Sequence, residues 1–427
     1  MCFKLEEIMN VLKPINKQNL SWAFYDWGNS AFATTVMAIF FPYFLKTFWS
    51  TGDSVNESTL QLGFANSLAG ALLVIMSPFL GTIADKLGAK KKMLFSFVLL
   101  GVFFTGALAF IPKGNSSLAI ICFILATIGF NSSNIFYDSL IVYVTEKKYI
   151  DFISGFGFGI GYLGGGILLV INVLMSVKPD LFYFIQDANH AVQLSFLTVA
   201  IWWLLFTFPL MKWVKEKNTN VNNNKFNAKL FKDTIQELKK TFFEIIKHKN
   251  LLFFLLGYLF YIDGINTTIK MAVDYGLSLG FEFENLIYAL LLVQFIGFPA
   301  AIVFGYLGQI IGSIKGIFIG LVAYIIVIFW GFFMTEVSEF YIMASMIGLV
   351  QGGVQALSRS LYGKLIPADR SAEFFGFFNM VGKFSAILGP LMVGFVSYAS
   401  GSARLSILSL ITFFILGGAL LSRVRLA

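Results

Sequence analysis

Gly81-Thr82-Ile83-Ala84-Asp85-Lys86-Leu87-Gly88-Ala89-Lys90-Lys91 separates two long apolar runs, and Gly305-Tyr306-Leu307-Gly308-Gln309-Ile310-Ile311-Gly312-Ser313-Ile314-Lys315 separates two others 224 residues further on. Gly81 pairs with Gly305, Gly88 with Gly312 and Lys91 with Lys315. A second echo follows, in which Ser154-Gly155-Phe156 returns as Phe375-Gly376-Phe377 at a spacing of 221. Echoes at nearly one spacing in two places indicate that a unit of about half the chain occurs twice in parallel orientation.

The material around these loops is apolar enough for a membrane. Hydrophobic residues make up 57% of the 427 residues and charged residues only 13%, against roughly 25% charged in soluble domains. Cutting the chain into runs of about 20 residues, the length that crosses a bilayer, gives twelve spans at 20–45, 60–83, 93–112, 117–143, 152–177, 191–211, 251–275, 284–308, 315–334, 340–361, 374–398 and 403–422. With an even number, both termini lie on one side. Assigning that side to the cytoplasm places 25 basic residues in inner loops and tails and 4 in outer loops, as the positive-inside rule requires. The net charge of +8 is then topology, and no nucleic-acid partner is expected.

Between spans 6 and 7 the chain becomes polar, with Asn218-Thr219-Asn220-Val221-Asn222-Asn223-Asn224 followed by Phe231, Ile235, Leu238, Phe242 and Ile245 at three- and four-residue intervals among lysines. That pattern predicts an amphipathic helix on the inner leaflet. The expected organisation is an N-terminal six-helix bundle (1–211), a cytoplasmic linker (212–250) and a C-terminal six-helix bundle (251–427).

The loop Gly81 to Lys91 resembles the inner-loop signature of the major facilitator superfamily, and the duplicated six-span plan is how those transporters are built. The expected fold is therefore an all-α membrane protein, twelve transmembrane helices in two pseudo-symmetric six-helix bundles. Gly81, Asp85, Gly88, Lys91, Gly305 and Gly312 are the expected gating residues. The glycines permit close helix approach, between spans 2 and 11 for Gly81, and Asp85 can rest on a helix N-terminus and nearby cations when the inner side is closed. Gln309 replaces the aspartate in the second copy, so a charge latch is expected on one side only. Three further stretches resemble a smaller group, the unknown major facilitator family that includes the vacuolar amino-acid effluxer of fungal autophagy. They are Trp22-Ala23-Phe24-Tyr25-Asp26-Trp27-Gly28-Asn29-Ser30-Ala31-Phe32, Tyr261-Ile262-Asp263-Gly264-Ile265-Asn266-Thr267, and Gly352-Gly353-Val354-Gln355-Ala356-Leu357-Ser358-Arg359-Ser360 continuing to Glu373-Phe374-Phe375-Gly376. That resemblance implies efflux or exchange of amino acids.

Charged groups inside spans are costly, about 2.5–3.5 kcal/mol each at a helix centre, and mark functional sites. Asp26 and Asn29 in span 1 match Asp263 and Asn266 in span 7 at a spacing of 237, one residue out of register with the Tyr25 and Tyr261 pair at 236. Each pair shares a helix face at i and i+3, which predicts one carboxylate per half around a common cavity. Asn131, Asn134 and Asp138 share a face of span 4, Gln351, Gln355 and Arg359 stand in span 10, and Asn379 and Lys383 in span 11. The expected substrate and ion site is Asp26, Asn29, Asn134, Asp138, Asp263, Asn266, Gln355, Arg359, Asn379 and Lys383. Asp26 or Asp263 is the candidate proton carrier. Lys383, Lys270 or Arg359 suits a substrate carboxylate and Asp138 an ammonium group. The competing account has Asp26 or Asp138 paired with Lys383, and Arg359 and Lys270 near enough to the span ends to reach water.

Glycines at every fourth position of span 5, Gly155 and Gly159 and then Gly157, Gly161 and Gly165, predict two smooth packing faces and not a dinucleotide loop, since no strand precedes them. His190 and His248 fall on opposite sides of the membrane, and Cys2 and Cys122 lie far apart, so no metal site, disulfide framework or enzyme centre is expected. No cofactor is called for. The expected function is proton-coupled efflux of a small solute by a monomer in contact with membrane lipids, in a bacterial inner membrane. An uncoupled facilitator, a lipid or lysolipid flippase and a non-transporting sensor are the alternatives.

Overall fold

The computed structural model describes residues 14–50, 55–183, 185–216 and 228–425. Among them are 12 helices long and apolar enough to cross a membrane: Lys17–Trp49, Leu60–Leu87, Lys90–Phe110, Ser116–Val144, Lys147–Val177, Ala188–Trp213, Lys249–Ile269, Glu284–Ile311, Ser313–Phe333, Val337–Leu365, Ala368–Ser400 and Arg404–Leu421. They are called spans 1 to 12 below. A linker helix, Ala228–Lys247, lies between spans 6 and 7. Cys2 and the polar stretch 218–224 lie outside the described residues, as do the side chains of Phe231 and Lys270.

Local chemistry sets the helix ends. Asn16 caps span 1 by accepting from the amides of Gln18 and Asn19, while the Asn19 side chain accepts from the Asn16 amide, which satisfies amides that the first turn cannot. Gly88 and Gly312 have positive φ, 56° and 93°, a backbone region that glycine enters without steric cost. Both therefore stop their helices, at Leu87 and Ile311, so these two glycines of the repeated loop make turns, and nothing lies within 4 Å of a Cβ placed on Gly312. Beyond Ala31, span 1 widens into a π-helical stretch, Phe32–Phe40, which ends with the Phe41 amide on the Val36 carbonyl.

The repeat is visible as paired contacts where the two halves meet. A Cβ on Gly81 of span 2 would stand 2.1 Å from the Ala372 carbonyl oxygen of span 11, and one on Gly305 of span 8 would stand 2.8 Å from the Asp151 carbonyl oxygen of span 5. In the mirror-image contacts, a Cβ on Gly376 would lie 2.5 Å from the Ser77 carbonyl oxygen and one on Gly155 2.5 Å from that of Ala301. Only glycine allows backbones this close. These contacts seal the end of the bundle that carries the linker helix. The two glycine series of span 5 part as their spacing suggests: Gly155 and Gly159 face span 8, while Gly157, Gly161 and Gly165 face Trp22, Asp26 and Ser30 of span 1.

Candidate functional site

A cavity of about 440 Å³ lies between the halves, lined by spans 1, 4, 5, 7, 8, 10 and 11. Nine of the ten expected site residues line it: Asp26, Asn29, Asn134, Asp138, Asn266, Gln355, Arg359, Asn379 and Lys383. Tyr162 and Gln294 line it as well; neither recurs with another polar residue at three- or four-residue spacing, so the sequence does not single them out. Several of these groups pair across the cavity wall. Asn29 Nδ2 donates to Asn134 Oδ1 at 2.5 Å, and Tyr137 Oη donates to Asp26 Oδ2 at 3.1 Å. Ser30 Oγ reaches Asp26 Oδ1 at 3.5 Å.

Arg359 organises the closed end of this cavity. It does not reach water near a span end: its side chain is only 3% exposed. Its Nη1 lies 3.1 Å from Asp138 Oδ1 and 3.9 Å from Asp26 Oδ2, and its Nε and Nη2 donate to the Ser154 hydroxyl and carbonyl at 3.0 and 2.9 Å. The guanidinium also stacks within 4.8 Å of the Trp22 ring centre and 4.3 Å of that of Phe158. Planarity and five donors make arginine suited to such a node, where lysine's point charge is not. The cation from span 10 thus ties together spans 1, 4 and 5 and pairs with both acids. Asn379 adds a 3.4 Å contact to Asp138 Oδ2.

Asp263, expected in the cavity wall, lies outside it. Both of its carboxylate oxygens accept from the Gly389 amide, at 2.9 and 3.0 Å, and Thr267 Oγ1 donates to it at 3.2 Å. The reason is the register shift. Tyr25 donates to Ser133 at 2.8 Å and Tyr261 shares a 2.7 Å bond with Ser358, so the tyrosines occupy equivalent positions at the 236 spacing. On that register Asp263 is the counterpart of Trp27, about 100° around the helix from Asp26, and Asn266 is the counterpart of cavity-lining Ser30. Asp263 instead serves span 11 at Gly389, just before Pro390, where the helix ladder is interrupted. Replacing Asp263 by leucine strands that amide and is expected to lower stability by about 1–3 kcal/mol, read as a thermal shift in detergent. Asparagine keeps one acceptor and is expected to retain most of the stability.

The sealed end carries its own charges. Asp85 Oδ2 accepts from the Glu373 amide in the first turn of span 11 at 2.7 Å, and Lys90 Nζ lies 2.8 Å from Oδ1, so a carboxylate sits on a positive helix end. Lys91 takes no part across the gate: its Nζ donates to the Val214 carbonyl at 2.6 Å, beyond the end of span 6. Nor is the charged contact confined to one side. Beside Gly308 of the second loop, Asp151 at the start of span 5 accepts from Ser313 at 2.9 Å and pairs with Lys364 at 2.5 Å, and Ser360 donates to it as well. The acid has moved to the other partner, which inspection of the loop alone does not reveal.

Comparison with known proteins fits this architecture. The family model described as "Vacuole effluxer Atg22 like" matches residues 16–427. The MFS-type transporter YxiO of Bacillus subtilis is 36% identical over 415 residues, 97% of this chain and 96% of that protein. Autophagy-related protein 22 of Eremothecium gossypii is 22% identical, with 94% and 89% covered. Among solved structures, the major facilitator transporter FucP in its outward conformation superposes with a TM-score of 0.68 at 13% identity, covering 96% of this chain and 99% of that one. The proton:xylose symporter XylE gives 0.66 at 13% identity, covering 96% and 94%. The chain is an integral membrane protein of the Atg22-like family, with the twelve-helix fold of the major facilitator superfamily.

Proposed function

We propose that the protein exports small zwitterionic solutes, amino acids foremost, from the cytoplasm of a bacterial cell by alternating access coupled to protons. Both termini and the linker helix are assigned to the cytoplasmic side of the inner membrane. The observation that carries the proposal is the division of charge across the cavity. The acids that line it, Asp26 and Asp138, come from spans 1 and 4, and the cations, Arg359 and Lys383, from spans 10 and 11. A zwitterion spans that division with its ammonium toward the first half and its carboxylate toward the second. Gln351 Oε1, a buried cavity-wall atom without a hydrogen-bond partner among the described residues, offers the solute a further acceptor.

Arg359 bridges the two halves across the cavity. A bound ammonium competes for Asp138 while the solute carboxylate engages Arg359 or Lys383, so the tie across the halves passes through the solute and can rearrange. Asp26, held by Tyr137 and within 3.9 Å of Arg359, is positioned to exchange a proton when the cavity opens. A lipid substrate fits poorly, because amides and charges line the walls.

Asp26→Asn is expected to abolish accumulation driven by a pH gradient while leaving solute counterflow at equal pH largely intact. Both are measured in proteoliposomes with radiolabelled amino acids. Undiminished pH-driven accumulation in this variant would remove Asp26 from the coupling step.

A further inference from the structure

The linker helix is more than a connection between the halves. Toward the first half, Glu237 lies 3.9 Å from Lys86, next to the gate residue Asp85. Toward the second, Glu244 pairs with Arg370 at 2.8 Å, Thr241 donates to Glu373 at 2.5 Å, and Arg370 donates to Thr241. Arg370 in turn holds Glu373 at 3.0 Å, and the Glu373 amide is the donor to Asp85. Thr234 and Thr241 are fully buried on this face. The helix therefore clasps both halves around the start of span 11, at the end of the molecule that must part if the cavity is to open there.

Its other face is differently made. Ile235, Phe242, Phe243 and Ile246 are 42–50% exposed, and Lys232, Lys239, Lys240 and Lys247 on the same helix are exposed around them. Of the apolar positions expected to face lipid together, Leu238 and Ile245 turn inward against the protein instead. An apolar stripe bordered by lysines, on a helix joined to twelve membrane spans, is complementary to the anionic surface of the surrounding bilayer.

We propose that this face is seated on anionic lipid headgroups and that the seating holds the clasp, so that lipid charge biases the linker-side gate toward closed. The partner is the anionic leaflet itself, recognised by four lysines and four apolar side chains. The clasp depends on Glu244 and Thr241; the seating depends on the lysines. The inference requires that the gate opens and closes but not that the solute is an amino acid.

The test uses the full chain with Cys2 and Cys122 replaced by serine and spin labels at Glu146→Cys and Lys315→Cys, exposed positions between spans 4 and 5 and in the first turn of span 9. Distances are measured in vesicles of phosphatidylethanolamine with either phosphatidylglycerol or phosphatidylcholine. The ratio of long to short distances is expected to rise by roughly five- to tenfold when the anionic lipid is removed. In the combined variant K232Q/K239Q/K240Q/K247Q it is expected to be high in both vesicles, and in Glu244→Gln the lipid effect is expected to shrink because the clasp is already loose. A ratio indifferent to lipid charge overturns the proposal, as does an undiminished lipid response in the four-lysine variant. Because the readout needs no solute, its failure is distinct from a failure of the amino-acid assignment.

Discussion

Arg359→Gln is expected to reduce amino-acid counterflow on the order of 100-fold or more and to lower stability by about 3–5 kcal/mol, the penalty for leaving buried charge without its partner. Two carboxylates depend on this one guanidinium, Asp138 at 3.1 Å and Asp26 at 3.9 Å. Glutamine leaves both without their cation and also removes the donors to Ser154. Lysine is expected to rescue little, since an ammonium cannot reach the Ser154 hydroxyl, its carbonyl and Asp138 in one plane. Thermal shift separates the two effects: if lysine restores stability but not flux, Arg359 has a role in transport beyond holding the halves together. Wild-type flux in Arg359→Gln would rule out the bridge as part of the cycle.

The second large effect is expected at the gate. Gly81→Leu places its Cβ where the Ala372 carbonyl oxygen is 2.1 Å away, a distance that no packing adjustment of a single side chain relieves. The variant is expected to be unable to close the linker side, to favour the long-distance population between labels at Glu146→Cys and Lys315→Cys, and to lose transport at least roughly tenfold while remaining folded. Gly70→Leu in the same span is the control, because nothing lies within 4 Å of its Cβ, and it is expected to behave like the parent. Equal distance distributions in the two variants would show that the glycine contact does not control closure.

Much of this arrangement is legible in the chain because it rests on patterns that repeat. Helical length and apolarity locate the twelve spans, and the echo of Gly81 in Gly305 and of Gly155 in Gly376 foretells two matched interfaces. Polar groups recurring on one face of spans 4, 10 and 11 foretell the cavity. What the chain conceals is rotation and partnership. A one-residue slip between Tyr25-Asp26 and Tyr261-Ile262-Asp263 is easy to pass over, yet it turns Asp263 about 100° from the cavity and converts it into a backbone acceptor for Gly389. Arg359 reads as free to reach water because distance along the helix is visible in a sequence and burial among neighbouring spans is not. The contact between Asp151 and Lys364 was hidden for a related reason, since its two residues are 213 apart and neither belongs to the repeated loop.

The linker helix shows the same limit in a smaller compass. Its period was readable, but Leu238 and Ile245 pack on the protein while Ile235 and Phe242 remain exposed. One apolar stripe therefore serves two neighbours. The polar residues that fasten it, Thr241 and Glu244, lie on positions that amphipathicity alone assigns to solvent.

Transport by purified protein in vesicles of defined lipid, loaded with a radiolabelled mixture of amino acids and measured with and without an imposed pH gradient, tests the central claim most directly. The account predicts amino-acid flux that accelerates when protons can move in the opposite direction, and that is lost in Arg359→Gln. Scrambling of labelled lipid without any amino-acid flux, or flux indifferent to the gradient, would contradict it.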